Sequence, residues 1–299
     1  MRLDPNEQSS NVEDRRSQGG GGGGGMRRVG IGGGLGTIAI IVLGLIFGFD
    51  PTMLLQLGQV ASPPQQAQQQ SQQAGQQTAR PSAPARDDAG RFASTVMALT
   101  EKTWGGLFQQ AGSRYPEPVL VLFRGQVSTA CGAASSATGP FYCPSDQKVY
   151  IDLQFFDELK NRFRAPGDFA QAYVIAHEVG HHVHNVMGTM QKVDAARKRA
   201  SKTEANALSV RLELQADCYA GVWAFHTEKT RGFLERGDIE EGLAAATAIG
   251  DDRLQKQAQG FVVPDSFTHG SSEQRVRWFK TGFESGSLKA CDTFAVSRL

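Results

Sequence analysis

The 299-residue sequence predicts an α+β architecture: a helix-rich domain with a small sheet, preceded by one transmembrane helix and a disordered tether. Three observations lead there. An uncharged apolar run near the N-terminus is set off by glycine-rich and glutamine-rich stretches on its two sides. Beyond them, segments of helical periodicity surround two short β-branched runs. No repeat is visible, and the remaining length is ample for a hydrophobic core. A net charge of +1 gives no sign of a nucleic-acid partner.

The elements follow in chain order. Residues 1–28 are polar and end in "GGGGGGGMRR", too poor in apolar side chains to fold alone, so they read as a disordered cytoplasmic leader. Residues 29–49 then run without a charge, and a helix of that length, at about 1.5 Å per residue, matches a hydrocarbon core of roughly 30 Å. A cleaved signal peptide is the competing reading, but the leader is long and "QVASP" is a poor cleavage site. Arg15, Arg16, Arg27 and Arg28 precede the run, and no lysine or arginine follows it until Arg80. The positive-inside bias therefore predicts a single-pass cell-membrane protein with a cytoplasmic N-terminus and its main domain periplasmic or extracellular. The spacings Gly32/Gly36 and Gly44/Gly48 would let two such anchors pack as a dimer.

Residues 50–90 contain "PPQQAQQQSQQAGQQTARPSAPARDD", a composition that buries no core and predicts a flexible linker. The folded domain is then expected over 91–299. All four cysteines lie in it, and an even count in an exported domain favours disulfides. Cys131–Cys143 would close a short loop, worth about 3 kcal/mol in the loop-entropy model, leaving Cys218–Cys291 to tie the C-terminal segment to a central helix.

Within that domain "FASTVMALTEKTWGGLFQQAG" has helical spacing, while "PVLVLFRGQV" and "KVYIDL" read as strands. Asp168 is placed to cap a helix running toward Gly188. Ser201 with Glu204 opens a long helix, as Ser271 with Gln274 opens a later one; Asp238 with Glu241 opens "GLAAATAIG". The basic stretch "KVDAARKRASK" reads as a solvated face.

Four of the six histidines fall between residues 177 and 184, within "AYVIAHEVGHHVHN". His177, Glu178 and His181 form H-E-x-x-H. Residues four apart on a helix lie one turn along the same face, so the two imidazoles can share one Zn²⁺. Glu178, beside them, is placed as the catalytic carboxylate that takes a proton from water. His182 points away from that face, and His184 is expected behind the ligands or at the rim. A catalytic zinc needs a third protein ligand, and "RLELQADCYAG" offers Glu213 and Asp217 one turn apart. Glu213 is assigned to the metal and Asp217 to a hydrogen bond with a liganding imidazole; the swapped arrangement is the alternative. Residue 187 is methionine, which excludes a third histidine in metzincin spacing.

"HEVGHH" with "RLELQADCYAGVW", behind a glycine-rich leader, resembles the neutral zinc metallopeptidases of bacteria over nearly the whole chain apart from the tether. That resemblance implies a zincin-like fold and peptidase activity. "ELQAD" is also similar to the E-x-x-A-D ligand segment of CAAX-type membrane metalloproteases, where the glutamate binds zinc. "FTHGSSEQR" keeps that family's Thr-His pair and an arginine six residues on, as Thr268, His269 and Arg275, with Gly270 in place of proline. By that analogy His269 is a candidate donor to the tetrahedral oxyanion; a helix-capping or surface histidine is the alternative. His226 has no such context.

The expected activity is hydrolysis of peptide bonds in a protein or peptide substrate by a metal-activated water. An extended substrate would pair with an exposed edge strand, for which "KVYIDL" or "VLVLF" is eligible. A zinc-stabilised scaffold without turnover and a zinc amidase acting on cell-wall peptides are the alternatives.

Overall fold

The computed structural model describes residues 1–17 and 87–299. Eight helices carry most of it: α1 (Asp88–Gln110), α2 (Gln154–Asn161), α3 (Asp168–Val186), α4 (Thr189–Arg197), α5 (Lys202–Arg231), α6 (Asp238–Ala248), α7 (Asp251–Gln259) and α8 (Ser272–Ser285). Strands β1 (Val12–Asp14), β2 (Val119–Phe123), β6 (Lys148–Asp152) and β5 (Phe141–Cys143) form one sheet in that spatial order, parallel except for the β5–β6 pair. Strands β3 (Gln126–Thr129) and β4 (Gly132–Ser135) form a separate hairpin.

The core forms where the sheet meets α1 and α3 and where α3, α5 and α8 cross. Leu120, Leu122, Val149 and Ile151 face Val96, Ile175 and Val179 in one apolar cluster. Helices α5 and α8 approach closely enough that a methyl group on Gly282 would strike the Cys218 carbonyl, and one on Gly221 the Phe279 carbonyl. Glycine is the residue that lets two helix backbones come that near. The two disulfides are Cys131–Cys143 and Cys218–Cys291, a pairing suited to an oxidising compartment. The second joins α5 to the short 3-10 turn Leu288–Cys291 just past this crossing.

The helix-rich fold with a small sheet is as expected; the membrane part of the expectation is corrected. Among the described residues no helix is long and apolar enough to cross a membrane. Residues 29–49 lie outside the described residues, as does the linker up to residue 86. The sheet supplies the physical reason against a single-pass topology. β1 pairs with β2 in register Val12–Leu120 to Asp14–Leu122, and Lys148 reaches Glu13 at 2.6 Å. A chain crossing a bilayer once between residues 17 and 87 would leave these partners on opposite sides. With the single pass goes the expected division into a cytoplasmic N-terminus and an exported domain, and with it the anchor-mediated dimer.

Of the leader expected to be disordered over residues 1–28, residues 1–17 are built into the fold, and residues 18–28 lie outside the described residues. Ser9 and Asn11 bond Glu101 of α1, Glu7 pairs with Arg231 of α5, and Arg16 reaches Asp87, the N-cap of α1, at 2.5 Å. α1 begins at Asp88, inside the stretch expected as linker. Both runs expected as edge strands, β2 and β6, are interior; the open edges of the sheet belong to β1 and β5.

Candidate metal centre

The site rests on the crossing of α3 and α5. α3 begins without a side-chain cap of its own: Asp168 is its first residue, and Glu241 of α6 accepts from the Phe169 N–H at 3.1 Å. The expected Asp168 cap is thus replaced by a neighbouring helix. α5 opens on the expected Ser201–Glu204 capping box. At the crossing, a methyl group on Gly180 would lie 3.2 Å from the Ala216 backbone. Gly180 sits between His177 and His181, and Ala216 between Glu213 and Asp217. This close approach brings the four side chains within reach of one another.

His177 Nε2 lies 3.1 Å from Glu213 Oε2, and His181 Nε2 lies 3.4 Å from Glu213 Oε1. One donor atom from each of His177, His181 and Glu213 falls within 4.8 Å of the others. Two imidazole nitrogens and a carboxylate converging this closely are a donor set that could hold a zinc ion, three protein ligands being one fewer than the four that zinc takes. Asp217 is fully buried and takes His177 Nδ1 at 2.8 Å, which presents Nε2 to the cluster. Its carboxylate also accepts the Tyr173 hydroxyl at 2.5 Å and two guanidinium bonds from Arg275 at 2.9 Å each. Burial disfavours the Asp217 charge, but Arg275 and His177 outweigh it and hold the carboxyl below its ordinary range. With both Asp217 oxygens engaged in this way, Glu213 is the carboxylate that faces the two Nε2 atoms.

Glu178 lines the same cleft of about 1170 Å³. Burial raises its carboxyl above the ordinary glutamate value, and the neighbouring His177 and His181 offset only part of that. It therefore keeps a proton more readily than a solvated glutamate. His182 turns away, as helical geometry requires. Its Nε2 donates to the Pro116 carbonyl at 2.6 Å, so Nδ1 accepts the Tyr142 hydroxyl at 3.0 Å. His184 is fully buried beside His181 and Tyr219, behind the ligands rather than at the rim, the first of the two positions expected for it. His226 bonds the Gly286 carbonyl at 2.8 Å.

His269 also lines the cleft, with its side chain nearly half exposed. The loop carrying it is held by Asp251, a residue the sequence did not single out. One Asp251 oxygen accepts the backbone N–H groups of Thr268, His269 and Gly270 at 2.7, 2.6 and 3.0 Å. The other lies 3.3 Å from His269 Nδ1. Burial works against the imidazolium, yet Asp251 and Glu213 raise its pKa overall. With Nδ1 engaged, Nε2 is the nitrogen with which the ring can meet a substrate. Gly270 adopts φ +92°, which proline cannot reach, and this accounts for the departure from the Thr-His-Pro pattern.

Asp251 could not have been found by spacing, since its partners lie seventeen to nineteen residues away in a loop. Arg275 carried a signal only through resemblance; the structure shows why an arginine is needed there.

Comparison with known proteins agrees with this chemistry. The family profile described as "Putative neutral zinc metallopeptidase" matches residues 1–294. The uncharacterized protein YpfJ of Escherichia coli strain K12 is 50% identical over 300 residues, covering 99% of this chain and all of that protein. The uncharacterized protein Rv2575 of Mycobacterium tuberculosis strain H37Rv is 41% identical over 222 residues, 71% of this chain and 74% of that one. No solved structure matches.

Proposed function

The chain belongs to the family described as "Putative neutral zinc metallopeptidase", with Zn²⁺ as its cofactor, and from that premise we propose that it is an endopeptidase cleaving extended polypeptides in the cleft between α3 and β5. His177, His181 and Glu213 hold the metal. Zinc bound there supplies Lewis acidity, polarising the scissile carbonyl and acidifying water. The protein's own groups do the rest. Asp217 and Arg275 fix the tautomer and direction of His177. Glu178, its proton affinity raised by burial, accepts a proton from the attacking water and returns it to the leaving amine. His269, steadied by Asp251, donates from Nε2 to the oxygen that gains charge as the carbonyl becomes tetrahedral.

Substrate alignment falls to β5 rather than to the strands expected from sequence. β5 has one edge paired to β6 and the other open, and Phe141 and Tyr142 line the cleft. An extended peptide can add to that edge through main-chain hydrogen bonds.

The convergence of two imidazoles from α3 and one carboxylate from α5, with a buried proton-accepting glutamate beside them, carries this reading. A zinc-stabilised scaffold has no use for that glutamate. The test is cleavage of casein by the full-length zinc-loaded chain against Glu178→Gln. The full chain is required because residues 1–17 complete the sheet. Loss of a proton carrier should lower turnover by roughly 10²–10⁴-fold with zinc content unchanged. Equal turnover by both proteins contradicts the mechanism.

A further inference from the structure

Nine buried side-chain nitrogen and oxygen atoms have no hydrogen-bond partner among the described residues. Four of them belong to three residues behind the metal centre: His181 Nδ1, both ring nitrogens of His184, and Gln215 Oε1. His184 is not exposed at all and Gln215 is 6% exposed. Polar atoms buried without partners are costly, so four in one place call for a common cause. We infer that His184 and Gln215 are positioning residues for the second metal ligand. With His181 Nε2 on zinc, its Nδ1–H donates to His184, His184 donates to Gln215 Oε1, and the Gln215 amide donates to the Cys291 carbonyl. This deepens the peptidase reading and rests on it for His181 being a ligand.

The residues stand in the required order. His184 follows His181 by nearly one turn of α3, on the same side of the helix. Their ring centroids are 5.6 Å apart and the planes are inclined at 61°, a separation at which a turn of either ring brings two nitrogens into hydrogen-bond range. Across the crossing, Tyr219 of α5 packs its ring 5.0 Å from that of His184. Gln215 stands one turn before Tyr219 on the same face of α5, and its carboxamide lies beside His184. Gln215 Nε2 donates to the Cys291 carbonyl at 2.8 Å. A carbonyl can only accept, so Oε1 is the amide atom left for His184.

Donors and acceptors fix the direction of the chain. An imidazole that binds metal through one nitrogen carries its proton on the other, so zinc-bound His181 presents Nδ1–H as a donor. Neutral His184 has one accepting and one donating nitrogen. Accepting from His181 leaves its N–H for Gln215, and all four atoms are then paired with no proton left over. The reverse direction would put the His181 proton on Nε2, where it blocks the metal. His177 has Asp217 in the corresponding place, at 2.8 Å. A carboxylate enriches its imidazole more than a neutral ring does, so His181 is the less electron-rich of the two nitrogen ligands. The Cys218–Cys291 disulfide anchors the far end of the chain to α5.

The experiment uses the full-length, ¹⁵N-labelled, zinc-loaded protein. An N–H···N hydrogen bond carries a scalar coupling between its two nitrogens, which a merely space-filling His184 would not produce. Imidazole spectra of wild type should show His181 Nδ1 coupled to one ring nitrogen of His184, with the other His184 nitrogen protonated. His184→Phe keeps an aromatic ring against Tyr219 and loses both nitrogens. Its zinc affinity, measured against a chromophoric chelator, should fall about 10–100-fold. Absence of the coupling in zinc-loaded wild type overturns the inference, and so does a folded His184→Phe that binds zinc within about twofold of wild type. Should His184→Phe fail to fold, the wild-type coupling decides alone. Failure of the peptidase reading is separable. Wild type that binds zinc and shows the coupling but leaves casein intact refutes the peptidase and upholds the chain of hydrogen bonds, whereas wild type that binds no zinc overturns both.

Discussion

Replacing Arg275 with methionine removes the guanidinium while keeping much of the side chain's volume. The residue is 2% exposed and gives two charge-assisted bonds to Asp217, which is not exposed at all. Without the cation Asp217 keeps the Tyr173 hydroxyl and His177 Nδ1 but stays a buried, uncompensated anion. Breaking one side of such a pair costs about 3–5 kcal/mol. For an m-value of about 2 kcal/mol per molar, the urea midpoint of the metal-free protein should fall by roughly 2 M. Zinc affinity should fall as well, by about 10–100-fold, because Asp217, released from the guanidinium, holds His177 less firmly in place. The double variant Asp217→Asn/Arg275→Met removes the stranded charge and should recover part of the stability. Its coupling energy in a double-mutant cycle should exceed about 1 kcal/mol. A midpoint shift below about 0.5 M with zinc affinity unchanged would refute the reasoning, since the pair would then neither stabilise the crossing nor orient the ligand.

Three further outcomes follow from the same structure. Gly282→Ala should destabilise by about 3 kcal/mol or more, read by urea unfolding, because its methyl meets the Cys218 carbonyl and the helices must separate; a change below about 1 kcal/mol contradicts that packing. Cys131→Ala with Cys143→Ala should cost about 3 kcal/mol through the lost thirteen-residue loop constraint, and reductant should then have a smaller effect on the remaining protein than on wild type. Asp14 and Asp87 are both held below their ordinary range, chiefly by hydrogen bonds from Arg16. Their stabilisation is present above about pH 4 and is lost as pH falls through the depressed folded values. The thermal midpoint of wild type should therefore drop below that pH more steeply than that of Asp14→Asn.

Some of this architecture was readable in the sequence because its causes are local. The capping boxes at Ser201 and Ser271 satisfy backbone donors three residues away, and both open helices. H-E-x-x-H and the Glu213–Asp217 pair each lie one turn apart, so a helical period alone brings each pair to one face. Other features depend on partners distant in sequence. β1 is three residues, "VED", with no alternation to mark it, and it becomes a strand only by pairing with β2 more than a hundred residues on. The apolar run at 29–49 invited a membrane reading, yet nothing local to it could reveal that the residues before it share a sheet with those after it. Asp168 looked like a cap, but the cap of α3 arrives from Glu241, and Asp168 lies at 2.8 Å from the Met1 amine instead. Gly180 and Ala216 are each unremarkable in their own helices. Their significance lies in the crossing that sets the spacing of the metal donors.

The central claim is that α3 and α5 together hold one zinc through His177, His181 and Glu213. It is tested most directly by zinc titration against a chromophoric chelator, on full-length wild type and Glu213→Ala. The account predicts one zinc per wild-type chain and a loss of at least about 100-fold in affinity for the variant, with the fold retained by circular dichroism. Undiminished zinc binding by folded Glu213→Ala would contradict it.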